Sequence, residues 1–355
     1  METTHKVFLK DSSDMSEIDS GSVDLVITSP PYPMIEMWDS HFCSMNIEIK
    51  EAFEDELGMK AFNLMHQELE RVWGEVARVL KKGGLACVNI GDATRKIGKN
   101  FQLFPNHVKV IKKFLENDFI ELPCILWRKP TNSPNKFLGS GMLPPNAYVT
   151  LEHEYILIFR KGKIQQAILS NSDIRHRSAF FWEERNNWFT DLWKDIRGSS
   201  QDLHGLDNNY KQLRKRSAAF PLEIPYRLIN MFSIYGNLVL DPFWGTGTTS
   251  LASMITSRNS IGYECNPQFL EIFKKSIRQL KKLNFEMNRN RLKQHTEYIK
   301  NYRKKAKYNS IYYKFPVFTK QEINILLYSI KNFSESEGEF IINYEKFEFD
   351  NLPEF

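Results

Sequence analysis

Apolar residues along this chain fall into two alternating spacings. Val23-Asp24-Leu25-Val26-Ile27 is a short β-branched run bounded by turn residues, the pattern of a buried strand. Between Ala61 and Leu80 the spacing changes to that of a helix. Phe62, Met65, Leu69, Val72, Trp73, Val76, Val79 and Leu80 form one stripe. Lys81-Lys82 suit the negative end of that helix, and Gly83-Gly84 are expected to stop it. Leu85–Ile90 then reads as a strand ending at Gly91-Asp92. The same alternation recurs. His5 to Lys10 predicts a strand ending at Asp11, 107–117 a helix, and 119–127 and 154–159 strands. A helix over 222–232, a strand ending at Asp241, a strand over 260–264 and a helix after Asn266-Pro267 complete the series. Phe269, Leu270, Phe273, Ile277 and Leu280 carry that last apolar stripe. Strands alternating with helices predict an α/β fold, a doubly wound and mostly parallel sheet with helices on both faces.

Four stretches interrupt the alternation. Pro33 to Gly58 is polar and too long for a tight connection, so it is expected as a loop beside the strand end. Lys129 to Asn146 is rich in Pro, Gly and Asn. Residues 162–211 interleave Arg175, His176, Arg177 and Arg185 with Phe180, Phe181, Trp182, Trp188, Phe189 and Trp193. Such a mixture suits phosphates and bases, or else a small satellite core with a solvated basic face. From Asn284 onward the chain exceeds the alternating pattern, basic at first and then richer in Ile, Phe and Glu. These shifts divide the chain into 1–161, 162–211, 212–283 and 284–355.

Composition narrows the class. At 355 residues and 42% hydrophobic, the chain can bury a large core. A net charge of +5 is compatible with a polyanionic partner and does not by itself identify one. No apolar h-region opens the sequence, and no apolar run is long enough for a membrane span. Cys43, Cys87, Cys124 and Cys265 are scattered, so neither a zinc site nor a disulfide frame is expected, and a reducing, cytoplasmic setting is.

Two short stretches carry the chemistry. Thr28-Ser29-Pro30-Pro31-Tyr32 follows the strand 23–27, at the end where open α/β sheets bind ligands. The prolines stiffen the backbone and leave carbonyls free as acceptors. Ser29 Oγ and the Pro30 carbonyl could accept from an exocyclic NH2, with Tyr32 stacked on the ring. The other stretch, Leu238-Val239-Leu240-Asp241-Pro242-Phe243-Trp244-Gly245-Thr246-Gly247-Thr248-Thr249, is a strand, a Gly-rich turn and a helix start. Gly245 and Gly247 let backbone approach a ligand closely, and Thr248-Thr249 open a helix whose free N–H groups favour a carboxylate. No Lys follows Gly247, against a phosphate-gripping loop, and Ser250 stands where a dinucleotide fingerprint wants a third Gly.

In this order the two stretches resemble the beta arrangement of the S-adenosylmethionine-dependent DNA amino-methyltransferases. Ser before Pro-Pro-Tyr is similar to the N4-cytosine enzymes. The resemblance covers roughly residues 6–160 and 212–283. It implies Ser29, Pro30, Pro31 and Tyr32 as the catalytic wall and S-adenosylmethionine as cofactor. For the cofactor it implies Asp241, Phe243 over the adenine, Gly245, Thr246, Gly247 and Thr248, with Glu264 on the ribose. Asp11 either binds the adenine amino group or caps the turn behind it. It further implies a target base flipped out of double-stranded DNA, and DNA contacts from Arg175, Arg177 and Arg185 in the 162–211 insert. A restriction–modification setting follows, with a cognate endonuclease that need not touch the chain. No metal is required, and a monomer or homodimer is open. N6-adenine methylation and a catalytically inactive DNA-binding module stand as the rival readings.

Overall fold

The computed structural model describes residues 1–129, 138–163, 172–197 and 220–349. Among the described residues, ten strands form one central sheet. In chain order they are β1 (Glu2–Phe8), β2 (Val23–Thr28), β3 (Leu80–Ile90), β4 (Phe119–Arg128), β5 (His153–Lys161), β6 (Leu192–Trp193), β7 (Leu238–Asp241), β8 (Asn259–Tyr263), β9 (Tyr328–Ser336) and β10 (Glu339–Lys346). Their order across the sheet is β6-β4-β5-β3-β2-β7-β8-β1-β10-β9. The run from β3 to β1 is parallel. Strand β5 lies antiparallel between β3 and β4, and the β9–β10 hairpin packs with β10 antiparallel to β1. The expected doubly wound α/β sheet is therefore present, with mixed edges.

The helices are α1 (Asp39–Met45), α2 (Ile47–Glu54), α3 (Gly58–Val79), α4 (Asn106–Glu116), α5 (Asp173–Arg177), α6 (Trp182–Trp188), α7 (Glu223–Phe232), α8 (Thr248–Ile255), α9 (Gln268–Ile277) and α10 (Leu280–Tyr302). One buried cluster unites the α3 stripe (Phe62, Met65, Leu69, Val72, Trp73, Val76) with Val26, Val88, Phe114 and Phe159. A second joins Leu25, Ile27 and Val239 to Ile224, Leu228, Leu251 and Phe273. Successive residues of β2 thus serve opposite cores, which is why a continuous apolar run suits the strand at the centre of the sheet.

Several expectations change. Helix α3 ends at Val79, and β3 already begins at Leu80. Gly83-Gly84 lie inside that strand, where the β2 register shifts between Val23 and Leu25. Gly83 sits at φ +84° and supplies the irregularity, not the helix stop. The stretch 33–58, expected as an open loop, folds as α1, α2 and a turn of 3₁₀ helix. Between β3 and α4, Ala93–Ile97 and Asn100–Phe104 form a hairpin.

The 162–211 insert and the chain beyond 284 are also joined more tightly than their compositions suggested. Helix α10 runs unbroken across 283–284, and the β9–β10 hairpin extends the main sheet. Phe181 shares a third buried cluster with Leu292, Ile299, Phe315, Ile325 and Phe347. Arg291 pairs with Glu184, and His295 Nδ1 lies 2.9 Å from Glu183. Trp182 N donates to Glu322 at 2.8 Å. Among the described residues Glu183, His295 and Glu322 are the carboxylate–imidazole group close enough to hold a metal. Their ligand atoms are already taken up by hydrogen bonds within the protein. No helix among the described residues is long and apolar enough to cross a membrane.

Candidate active site at the carboxyl ends of β2 and β7

Strands β2 and β7 are direct neighbours, with Leu25 opposite Val239 and Val26 opposite Leu240. The chain therefore leaves both strands at the same rim, from positions far apart in sequence. Thr28 ends β2 and donates through Oγ1 to Asp241 Oδ1 at 2.7 Å. Thr249 Oγ1 donates to Asp241 Oδ2 at 2.7 Å, and Phe243 N to Oδ1 at 3.1 Å. Asp241 thus laces the Pro-Pro-Tyr turn, the Gly-rich loop and the first turn of α8 together.

Burial pushes the Asp241 carboxyl up from 3.8 to about 6, against the three donors that favour its charge. A carboxyl that holds its proton more tightly when folded supports the fold below about pH 4. That support is lost as pH rises toward 6. Asp241→Asn, neutral throughout, should not share this loss. Unfolding free energies of wild type and variant are expected to diverge between pH 4 and 6 by on the order of 2 kcal/mol, in favour of the variant at the higher pH. Denaturant melts at a series of pH values read the difference, and parallel curves would contradict it.

The glycine loop is shaped by close approach. Gly247, at φ +76°, precedes α8, and a Cβ there would overlap Phe273 and Trp244. Trp244 is buried, donates through Nε1 to Ser250 Oγ at 2.8 Å, and lies against Gly262 of β8. The Trp244 indole thereby pins the loop to the sheet. Phe243, beside it, is half-buried edge-on to Trp73. Thr246 and Thr248 bring their hydroxyls within 3.3 Å. Glu264 follows β8 and accepts from Gly245 N at 2.9 Å and Asn266 N at 2.8 Å. Burial raises its carboxyl, and those amides counter the shift.

Asp11 lies beyond β1, which pairs with β8, and accepts from Ser13 N at 2.6 Å. It therefore caps its own turn while standing at the same rim as Glu264. Asp92, a second strand-end acid, is likewise a cap: it takes His107 N at 3.1 Å and faces the imidazole at 2.8 Å.

Around the Pro-Pro-Tyr turn the prolines are buried, while Ser29 and Tyr32 are partly open. Asn106 ties this turn to the end of β3, donating to Pro33 O at 3.1 Å and Gly91 O at 2.9 Å. Ser29 Oγ lies 3.1 Å from the Tyr32 hydroxyl. That hydroxyl donates to Glu154 Oε2 at 2.9 Å and receives Asn89 Nδ2 at 2.7 Å. Lys129 Nζ sits 2.7 Å from Glu154 Oε1. Burial beside this carboxylate drives the phenol well above its usual range, so it keeps its proton. Sequence reasoning missed Asn89, Lys129 and Glu154. The available signal was a charged residue at the head of the apolar run Tyr155–Phe159, Glu154 in β5.

The basic–aromatic insert divides. Phe181, Trp188 and Trp193 are core residues and cannot stack on bases. Arg177 pairs with Asp173 at 2.7 Å, and its carbonyl accepts from Leu326 N at 3.2 Å. Arg175 and Arg185 are exposed, and Arg185 lies over the Phe189 ring. From sequence, the Ala-Phe-Pro segment ahead of α7 reads either as a flank of the cofactor's methionine part, with Ser217 and Phe220 against it, or as a simple helix entry; Ser217 lies outside the described residues, and Phe220 is buried.

A profile of DNA methylases matches residues 23–275. The chain belongs to the N6/N4 DNA methylase family. This methylase is 52% identical over 345 residues to the Type II methyltransferase M.MthZI of Methanothermobacter thermautotrophicus, covering 96% of this chain and 95% of that one. It is 51% identical over 286 residues to M.MjaI of Methanocaldococcus jannaschii, covering 78% and 91%. A protein of Thermus thermophilus described as a putative DNA modification methylase, solved with S-adenosyl-L-methionine, matches at TM-score 0.59 and 28% identity, covering 78% and 94%. The cytosine-N4-specific PvuII methyltransferase shares the fold, with TM-score 0.51 and 19% identity over 77% of this chain and 86% of that one. DNA is the substrate of this family, and S-adenosylmethionine is the cofactor.

Proposed function

We propose that this methylase transfers a methyl group from S-adenosylmethionine to the exocyclic N4 of cytosine in duplex DNA. The observation carrying this reading is Ser29, a hydroxyl ahead of Pro30-Pro31, held 3.1 Å from Tyr32 beside the Asp241 loop. The residues present suit the cofactor. Gly245 and Gly247 take positive φ and strip side chain from the loop, while half-buried Glu264 offers acceptors for ribose hydroxyls. Asp241, Phe243, Thr246 and Thr248 would complete that cradle, with Asp11 at its adenine end.

S-adenosylmethionine supplies an electrophilic methyl on a sulfonium. The chain's task is to present an amine. A base amine inside a duplex is out of reach, so the target is flipped into the cleft. The amino lone pair of cytosine is delocalised into its ring. Accepting the amino hydrogens on Ser29 Oγ and the Pro30 carbonyl localises that pair on nitrogen, and Tyr32 holds the ring flat. Positioning and preorganised acceptors then account for most of the acceleration. Arg175 and Arg185, with Arg177 behind them, would meet the phosphates. A cognate restriction endonuclease would cut the same sequence when it is unmethylated, without contacting this chain.

Mass spectrometry of hydrolysed DNA from cells expressing the chain tests the base. N4-methylcytosine is expected; N6-methyladenine without methylcytosine would replace this reading by the adenine one. Long-read modification mapping of the same DNA gives the recognition sequence.

A further inference from the structure

The hydrogen bonds behind the Pro-Pro-Tyr wall have a direction, and Glu154 sets it. A phenol has one proton and two lone pairs to share. The Glu154 carboxylate, 13% exposed at its side chain, pairs with Lys129 at 2.7 Å, and a carboxylate can only accept. The Tyr32 proton is therefore committed to Glu154 Oε2, at 2.9 Å. Asn89 Nδ2 fills one lone pair of the phenol and also donates to Glu154, both at 2.7 Å. Turning that amide over would set its oxygen against the carboxylate. The orientation is kept although Asn89 Oδ1 is thereby left buried without a partner. One phenol lone pair remains, and Ser29 Oγ lies 3.1 Å from the phenol oxygen. Ser29 can reach that oxygen only as a donor.

We propose that Glu154 is a positioning residue which, through Tyr32, turns the Ser29 proton away from the cleft and leaves Ser29 Oγ as a pure acceptor for the target amine. The consequence is chemical. A Ser29 proton aimed at the amine would engage the lone pair that must form the new N–C bond. With the proton held by Tyr32, Ser29 Oγ instead draws on an amino hydrogen and frees that lone pair. Lys129 pairs with the Glu154 carboxylate, and Asn89 keeps the phenol facing it. The inference rests on the reading of Ser29-Pro30-Pro31-Tyr32 as the amine-binding wall. It applies to any exocyclic amine, cytosine or adenine.

Labelled-methyl transfer by the purified full chain to duplex DNA tests it. Glu154→Gln can donate to the phenol and reverse the chain of protons. Its kcat is expected to fall about 10- to 100-fold, the range for a charged hydrogen bond, with KM for cofactor and DNA changed less than about twofold. Glu154→Asp, still a carboxylate, should recover part of the loss. Tyr32→Phe cuts the connection while keeping the ring. In that background Glu154→Gln should cost nothing more. Full kcat in Glu154→Gln, or independent losses that multiply with Tyr32→Phe, would overturn the proposal. If Glu154→Gln fails to fold, as circular dichroism would reveal, Glu154→Asp and Tyr32→Phe with their combination form the same cycle. The methylated base is identified separately on wild-type product. Methyladenine there removes the cytosine assignment and leaves the kcat ratios to judge Glu154.

Discussion

Tyr32→Ala should lower turnover by roughly two to three orders of magnitude while leaving S-adenosylmethionine binding within about threefold of wild type. Two losses combine. The ring that would hold the base disappears, and a base no longer held flat rarely meets the methyl in line. The hydroxyl that joins Ser29 to Glu154 also goes, so the acceptor geometry of Ser29 is released. The space left is not easily refilled, because the ring lies against Gly91, where a Cβ would come within 3.1 Å of Cε2. Cofactor binding is spared because its candidate ligands lie at the ends of β1, β7 and β8. Single-turnover methyl transfer and calorimetric titration with the cofactor separate the two effects. Unchanged turnover would remove Tyr32 from the site, and loss of cofactor affinity would place it in the other half of the cleft.

The second large effect is expected at Gly247. Gly247→Val asks a β-branched residue to adopt φ +76° and to put atoms where the Phe273 and Trp244 rings already are. Strain and overpacking together should cost about 3–5 kcal/mol, at the upper end for one substitution. Trp244 anchors the loop to Gly262, so the loop cannot shift without lifting a buried indole off the sheet. Thermal unfolding with and without S-adenosylmethionine checks this. The variant should melt far below wild type and gain little from the cofactor. A stable variant with normal cofactor stabilisation would show that the loop tolerates a side chain, and that its glycines are not there for close approach.

Much of the fold was legible because its signals are local. The α3 stripe, the β2 run and the Asp241–Thr249 turn each carry their period or their glycines within a few residues, so strand, helix and loop followed from pattern alone. Boundaries failed where the deciding contact was remote. Gly83-Gly84 looked like a helix stop, yet the pairing of β3 with β2 claimed them for the strand. Pro33–Gly58 looked like open loop, yet Phe42, Ile49 and Ala52 bury themselves in the core and α1 and α2 form around them.

For the candidate site, the sequence by itself supplied part of the chemical inventory: Ser29, the two prolines, Tyr32, the Gly-rich loop and Glu264, each at or just past a strand end. Tertiary structure alone decided which of these meet. Only the adjacency of β2 and β7 places Thr28 and Thr249 on the two oxygens of Asp241. Only the antiparallel insertion of β5 beside β3 brings Glu154 and Asn89 to the Tyr32 hydroxyl. The same holds for Phe181, Trp188 and Trp193, whose basic–aromatic setting suggested a DNA surface until their burial assigned them to the core. Periodicity reports which face of an element is apolar. Which neighbour covers that face depends on strand order, and strand order is a property of the whole sheet.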